Sequence, residues 1–324
     1  MNARPDLSTP SLAEVPSNPV PKGAQVAFLE TADGVKLRYA TFPKGEGAPR
    51  GTICLVQGRS EFIEKYFETI ADFRKRGFAV ATFDWRGQGG SDRLIGNPHV
   101  GYVDRFEDYW TDLRCFHAEI LLPDCPPPFY LVGHSMGGLA SLIATTRDRM
   151  MFDRVFLSAP MVGLHGLDHS LHRWAAVAET VSFFGLGHLP LKRKGDRRPD
   201  ESMYPDNPLT SDMLRYKRMV ETIRADDGLY VGSPSFRWLG ASMRAMLETR
   251  HDRFPGEIRI PLLILAAARE WIVSTPAIEH LGLRLRTGRH MVIAGSRHEM
   301  FMEADPVRGQ VFAAFDAFIT EQST

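Results

Sequence analysis

Hydrophobic residues alternate with polar ones in two short runs near the start of the chain, and fully apolar runs follow. The alternating runs are Gln25–Glu30 and Lys36–Phe42, and the Asp33-Gly34 pair between them is typical of a hairpin turn. The first fully apolar run is Thr52–Val56, as expected for a strand that is covered on both faces. The pattern therefore predicts an antiparallel hairpin joined to a buried sheet.

Apolar strands and amphipathic helices then alternate in two separate parts of the chain. After the first buried strand, further strands are predicted at 78–83, 129–132, 155–157, 262–266 and 291–294. Helices are predicted at 61–76, 104–121, 137–146, 275–286 and 306–319, with Gly77 and Pro123 as stop signals. Repeated strand-then-helix units indicate an α/β fold with a mostly parallel sheet flanked by helices, eight-stranded if the hairpin is included.

Residues 161–261 break this alternation, because they hold helix-like stretches at 169–184, 209–223 and 235–247 without a convincing buried strand. We interpret them as an α-helical cap inserted after strand 6, with the core formed by 24–160 and 262–324. Residues 1–23 carry five prolines among small polar residues and cannot bury enough surface to offset their ordering entropy. They are predicted to form a flexible arm.

The strongest chemical signal is the sequence Gly133-x-Ser135-x-Gly137, which stands directly between an apolar strand and a helical pattern. A serine on such a sharp strand-to-helix turn projects its hydroxyl out of the sheet, and small residues allow the two backbones to approach. The helix N-terminus stabilises negative charge that develops beside the serine. We predict that Ser135 is a catalytic nucleophile.

A serine nucleophile needs a base and an orienting carboxylate, which follow it in chain order in this kind of fold. His298 lies just past the last predicted strand and is the predicted base. Glu270 lies at the end of the penultimate strand and is the predicted acid, with Asp252 and Asp168 as alternatives. The backbone N–H groups of Met136 and Arg59 are the predicted oxyanion donors.

Several segments make the chain resemble the α/β-hydrolase superfamily, in the branch of monoacylglycerol lipases and bacterial lysophospholipases. They are Gln57–Glu61, Asp84–Ser91, Gly133–Gly138, Ser158–Met161 and His298-Glu299. The resemblance implies ester hydrolysis of a lipid with a single acyl chain, without a cofactor. The chain departs from the family pattern at Gln57, where histidine is usual, and at Glu270, where aspartate is usual.

Composition narrows the remaining function classes. The chain has 324 residues, and 39 Lys and Arg balance 39 Asp and Glu, so it lacks the basic excess of a general nucleic-acid binder. Three cysteines are too few for a disulfide framework or a cysteine-rich zinc site, and no metal site is predicted. Without a signal peptide or an apolar run of spanning length, we expect a soluble cytoplasmic protein with no obligate protein partner.

The sequence of the cap suggests how a lipid substrate is bound. An apolar, glycine-rich stretch contains Phe183, Phe184, Leu186 and Leu189, which we predict to admit the acyl chain. The basic run 192–198 follows at once, and it predicts peripheral contact with anionic headgroups at the inner face of a membrane. The alternatives are an esterase or peptidase of small substrates on the same triad, and a non-catalytic ligand-binding relative.

Overall fold

The computed structural model describes residues 10–167, 170–191 and 198–320, and its centre is an eight-stranded sheet. The strands are β1 Gln25–Glu30, β2 Lys36–Phe42, β3 Thr52–Val56, β4 Ala79–Phe83, β5 Phe129–His134, β6 Arg154–Ser158, β7 Leu262–Ala267 and β8 Gly288–Ile293. Their order across the sheet is β1-β2-β4-β3-β5-β6-β7-β8. Among the described strands, β2 pairs antiparallel with both β1 and β4, and every other pair of neighbouring strands is parallel. The predicted mostly parallel sheet is confirmed.

Ten α-helices accompany the sheet within the described residues. They are α1 Phe67–Lys75, α2 Glu107–Phe116, α3 Leu122–Asp124, α4 Ser135–Arg147, α5 Leu171–Phe183, α6 Met213–Ala225, α7 Phe236–Arg250, α8 Phe254–Glu257, α9 Thr275–Arg284 and α10 Asp305–Thr320. Every residue of β3, β4 and β7 is buried, because helices cover the central strands. Helices α1 and α10 meet at Phe73, whose ring centroid lies 4.9 Å from that of Phe315.

The helix predicted over 104–121 lies three residues further along the chain. It begins at Glu107, continues through a π-helical turn at His117–Leu121 and ends at Asp124, one residue past Pro123. In that wider turn the Leu122 N–H bonds to the carbonyl of His117, five residues back. We attribute the tolerance of Pro123 to this turn, where the proline lies at the start of α3.

The described part of the predicted flexible arm, residues 10–23, lies against the folded core. Val15 and Asn18 are buried. The Asn18 side-chain amide donates to the backbone carbonyl of Glu64 at 2.8 Å, and the Ala13 N–H donates to a Glu64 carboxylate oxygen at 3.0 Å. The prediction of flexibility was wrong for this stretch because its backbone and amide groups find buried acceptors, which composition does not reveal. Residues 1–9 lie outside the described residues.

The cap between β6 and β7 consists of α5 to α8 with short 3₁₀ turns, within the predicted range 161–261. Helix α5 packs closely on α7, since a Cβ added at Gly240 would lie 3.3 Å from the Cβ of Ala178. Helix α6 packs instead on the core, in a cluster of buried residues that includes Phe62 and Val220. Among the residues that the structure describes, no helix is both long and apolar enough to cross a membrane. The exact domain boundaries stay a prediction.

Candidate active site

Ser135 lies on a sharp turn at the end of β5 and is the first residue of α4. Its φ is +51°, in the left-handed region that residues other than glycine rarely adopt. Such strain persists only where the surrounding structure enforces it, and it is characteristic of functional sites. The turn holds Ser135 at 7% exposure, at the carboxyl end of the parallel strands.

Glycines make this turn sterically possible. A Cβ at Gly137 would lie 2.4 Å from the backbone oxygen of Gln57, so the first turn of α4 passes directly over the end of β3. A Cβ at Gly138 would lie 2.9 Å from the Cβ of Pro160, which follows β6. Both distances are shorter than any real carbon contact. The glycines therefore allow α4 to settle onto the neighbouring strand ends.

His298 comes from the loop after β8 and meets Ser135 across 163 residues of sequence. Its Nε2 lies 3.0 Å from the Ser135 Oγ, within hydrogen-bond distance. The His298 side chain is buried, and its ring centroid lies 4.8 Å from that of His134. The two side chains that the sequence predicts as nucleophile and base are thus brought together.

Glu270 completes the chain of contacts on the far side of the imidazole. Its Oε2 lies 2.8 Å from the Nδ1 of His298, while Oε1 accepts the N–H groups of Ile272 at 2.8 Å and Val273 at 3.2 Å. Burial acts to raise the pKa of Glu270, but the bonds to His298 and to the backbone outweigh burial and lower it. The carboxylate is therefore ionised and can accept only, so Nδ1 donates to it and Nε2 is left to accept from the Ser135 hydroxyl.

The two alternative acids do not compete for this position. The Asp252 side chain is fully exposed and pairs with Arg284 at 3.1 Å. Asp168 lies outside the described residues. Within the described ranges, no group of three His, Cys, Asp or Glu side chains is arranged to hold a metal ion.

The loop 57–61, which we call the oxyanion loop, lies beside the nucleophile. A Cβ at Gly58 would lie 3.2 Å from the Cβ of Ser135, so the backbone before Arg59 passes close to the hydroxyl. The Arg59 side chain points to the cap, where it donates to the Gly232 carbonyl at 2.7 Å and lies over the Trp238 ring. Met136 is the second residue of α4 and fully buried. The oxyanion role of the Arg59 and Met136 N–H groups stays a prediction.

His134 packs against His298 beneath the site. Its Nδ1 lies 3.1 Å from the backbone oxygen of Ser158, and burial lowers the pKa of His134 to about 4. A neutral ring in this position adds no positive charge beside His298. The residue acts as a buried spacer between the turn and the histidine.

Sequence reasoning missed two polar residues that fix the oxyanion loop. Gln88 donates from its amide to the carbonyls of Gly58 at 2.8 Å and Glu61 at 3.1 Å, and accepts the Ser60 N–H at 3.1 Å. Glu61 accepts the Gly58 N–H at 2.5 Å. The signal for Gln88 was its place in Asp84–Ser91, one of the segments that carry the family resemblance. Asp84 in the same segment accepts from Arg38 and from the Ile63 and Gly90 N–H groups.

The four residues predicted to admit an acyl chain lie on the outer surface of the cap. Phe183, Phe184, Leu186 and Leu189 are 85%, 72%, 46% and 39% exposed. Side chains this exposed do not enclose a ligand in the structure as it stands. The basic residues 192–197 that follow them lie outside the described residues.

Two kinds of comparison relate the chain to known proteins by sequence. A family model described as serine aminopeptidase, S33, matches residues 47–305. A probable lysophospholipase L2 of Haemophilus influenzae is 30% identical over 296 residues, which cover 91% of this chain and 92% of the relative. Lysophospholipase L2 of Escherichia coli K12 is 30% identical over 305 residues, covering 90% of this chain and 86% of the relative.

A comparison of structures agrees with the sheet topology. The chain is similar to a crystal structure of a soluble variant of monoglyceride lipase from Saccharomyces cerevisiae in complex with a substrate analog. The TM-score is 0.71 at 21% identity, and the match covers 91% of this chain and 95% of that one. At this level of identity the likeness shows a shared α/β-hydrolase fold.

Proposed function

Because the chain belongs to the family described as serine aminopeptidase, S33, and is a serine hydrolase, we propose that it cleaves an ester of a lipid with a single acyl chain. The proposed substrates are lysophospholipids or monoacylglycerols. The observation that carries the proposal is the continuous set of contacts from Ser135 through His298 to Glu270, at 3.0 Å and 2.8 Å.

The proposed chemistry runs in two halves on Ser135. His298 takes the hydroxyl proton at Nε2 as the Ser135 Oγ attacks the ester carbonyl, and Glu270 stabilises the imidazolium through Nδ1. The N–H groups of Arg59 and Met136 bind the oxyanion of the tetrahedral intermediate. His298 then returns the proton to the departing glycerol oxygen, and an acyl-enzyme remains.

In the second half His298 activates a water molecule. Its Nε2 takes a proton from the water as the water oxygen attacks the acyl carbonyl of the acyl-enzyme. The same proton is then delivered to the Ser135 Oγ as the fatty acid leaves. Every proton moves through this one nitrogen, so the ionised Glu270, which fixes the tautomer, is needed in both halves.

The names of the relatives support the lipid class. Two relatives at 30% identity are named lysophospholipases, whereas the family description names an aminopeptidase. An apolar exposed edge on the cap suits a substrate that is presented from a lipid surface. A peptidase or an esterase of small substrates on the same triad is the alternative, and a non-catalytic relative is disfavoured by the intact hydrogen-bonded contacts of Ser135.

We further propose that the cap meets an anionic membrane from the cytoplasmic side. The exposed residues Phe183 and Phe184 lie at the end of α5, and a basic run begins in the sequence eight residues after Phe184, at residue 192. Aromatic side chains beside cations are the usual chemistry of peripheral contact with anionic lipid. This contact would bring the catalytic cleft to its substrate.

A fluorophosphonate probe tests the nucleophile directly. We expect stoichiometric labelling of Ser135 in the folded protein, no labelling of Ser135→Ala, and unchanged labelling of the cap control Ser182→Ala. A panel of lysophospholipids, monoacylglycerols, short p-nitrophenyl esters and aminoacyl amides then tests the substrate class. We expect kcat/KM to be greatest on one of the two lipids and to fall on the order of a millionfold in Ser135→Ala.

The same assay decides the acid. Glu270→Gln is expected to lose on the order of 10⁴-fold in kcat, because a neutral amide no longer holds the imidazole in the required tautomer. Asp252→Asn is expected to keep full activity. Labelling on a different serine, or preference for the aminoacyl amides, would overturn the proposed function.

A further inference from the structure

A buried ion cluster lies directly behind the oxyanion loop. The Lys65 Nζ lies 2.8 Å from Glu61 Oε1 and 2.5 Å from Glu299 Oε1. All three side chains are almost completely buried. Charges this far from water are strongly destabilising unless each is paired and hydrogen-bonded, so the contacts must be maintained together.

One end of the cluster holds the oxyanion loop. The other carboxylate oxygen of Glu61, Oε2, accepts the Gly58 N–H at 2.5 Å and the Tyr66 hydroxyl at 2.8 Å. Burial acts to raise the pKa of Glu61, yet the charges of Lys65 and His134 and the hydrogen bonds from Lys65 and Tyr66 together outweigh it and bring the pKa to about 2. Glu61 is thus a permanent anion, and it holds the Gln57–Gly58 peptide group, which is one peptide before the Arg59 N–H.

The other end holds the loop that carries the base. Glu299 is the next residue after His298, and its own N–H donates to the Leu209 carbonyl of the cap at 2.8 Å. Lys65 therefore joins two loops that are 234 residues apart in sequence. A Cβ at Gly58 would lie 3.2 Å from the Cβ of Ser135, and His298 lies 3.0 Å from the Ser135 Oγ, so the cluster connects the two loops that approach the nucleophile.

We propose that Lys65 is a positioning residue that keeps the oxyanion loop and the histidine loop in register, and this inference rests on the proposed function. Through Glu61 it sets where the oxyanion donors point. Through Glu299 it sets where the imidazole lies. Lys65 contacts Glu61 and Glu299 and acts through the two loops, so the effect falls on the transition state, where donor and base must be aligned at the same moment.

A role in folding alone makes a different prediction from a role in positioning. A folding role lowers the amount of native enzyme and leaves each native molecule as fast as before. A positioning role lowers kcat per native active site and leaves KM unchanged, because ground-state binding of the substrate does not depend on the alignment. Activity must therefore be expressed per serine labelled by fluorophosphonate.

The variant that breaks one link while keeping shape is Glu299→Gln. We expect kcat per labelled site to fall about 10- to 100-fold with KM unchanged, since small displacements of reacting groups are this costly. Binding of an alkyl boronic acid, which mimics the tetrahedral intermediate, should weaken by the same factor. The matched control is Asp112→Asn, which removes a fully buried carboxylate paired with Arg86 at 2.6 Å and is expected to keep kcat per site.

Lys65→Met leaves two buried carboxylates facing each other and is the variant most prone to misfolding. Lys65→Arg retains the charge and is expected to retain more kcat per site than Lys65→Met wherever both fold. If Glu299→Gln keeps wild-type kcat per labelled site, the positioning role is overturned while the proposed function stands. If wild-type Ser135 takes no label, the proposed function fails and this inference fails with it.

Discussion

Two segments of the cap, which we call its inner half and its outer half, differ in what they contact. Helices α7 and α8 belong to neither segment. The inner half, residues 201–235, packs on the core: Tyr216, Met219 and Val220 of α6 form one buried cluster with Phe62, which follows the oxyanion loop. The outer half, Leu171–Leu191, contains α5 and the turn after it. It carries a row of exposed apolar side chains on its surface.

Polar contacts draw the same distinction. In the inner half, Thr210 donates to the carbonyl of Met302 at 2.6 Å, and the Ser211 N–H donates to buried Glu303 at 3.0 Å. Arg297, the residue before His298, donates to the carbonyls of Asn207 and Thr210. The inner half therefore supports the loop that carries His298, although it belongs to the inserted cap.

This difference shows that the cap, although it is one insertion in the sequence, does not behave as a single structural unit. The inner half contacts the segment that follows His298 through buried groups, whereas the outer half exposes apolar side chains. Changes in the inner half are expected to alter stability and kcat. Changes in the outer half are expected to alter how the substrate is captured.

Removal of one phenyl ring from each region gives the largest contrast. Phe62→Ala should lower the free energy of unfolding by about 3–5 kcal/mol, because a fully buried ring leaves a cavity between α6 and the core. Phe183→Ala, on the exposed end of α5, should change it by less than about 0.5 kcal/mol. Urea unfolding followed by fluorescence measures the free energy of unfolding of both variants. Equal losses in the two would contradict the distinction between the inner and outer halves.

Acid sensitivity should also be concentrated in the inner half. Glu68 of α1 pairs with Arg215 and Arg218 of α6 at 2.7 Å each. Burial acts to raise the pKa of Glu68, but these arginines and Arg308 outweigh it and lower the pKa to about 2. A carboxyl group whose pKa is lowered on folding stabilises the protein above its ordinary value of 4.5, and this contribution is lost as the pH falls from there toward 2.

Wild type should therefore lose about 1–2 kcal/mol more than Glu68→Gln between pH 7 and pH 3, after allowance for screening of a partly exposed group. Denaturant titrations at the two pH values measure this difference. The matched variant in the outer half is Glu179→Gln, which removes an exposed pair with Arg244. It is expected to follow the wild-type curve, and a Glu68→Gln curve parallel to wild type would contradict the assignment.

Loss of membrane contact should give the smallest change in free energy. Unlike the two preceding effects, it should arise from changes in the outer half. Replacement of Phe183 and Phe184 together by serine should weaken binding to phosphatidylglycerol vesicles about tenfold, or about 1.4 kcal/mol, because two exposed rings no longer enter the lipid. Serine at both Met150 and Leu283, which are 91% and 78% exposed elsewhere, is the control and should bind as wild type. Co-sedimentation measures both, and equal binding of all three proteins would remove the proposed contact.

Local patterns were sufficient to predict the sheet and the turn at Ser135. The alternation of apolar runs and helices gave each strand to within a few residues, and the turn is defined by neighbours in sequence. Strand β8 begins earlier than predicted, at Gly288, because an edge strand with exposed polar residues lacks the apolar signal of a buried one. Glu270 and His298 could be proposed because chain order limits where a base and an acid can lie.

Contacts between distant segments could not be predicted in the same way. Glu61 and Lys65 stand four residues apart and read as an ordinary exposed pair on a helix, yet both are buried and share Glu299. The docking of residues 10–23 depends on acceptors from Glu64, which no pattern within that stretch indicates. The division of the cap into two halves depends likewise on which helix faces Phe62.

The docked N-terminal segment has a practical consequence. Ala13 and Asn18 bind Glu64 of the core, while Ser17 donates to Glu221 on α6, so a few residues fasten the inner half of the cap from outside. Proteolytic trimming or a bulky fusion placed against this stretch would loosen that fastening at a distance from Ser135. Affinity tags for functional work are therefore better attached after α10, and a preparation clipped before Gln25 is expected to show altered turnover with an unchanged catalytic serine.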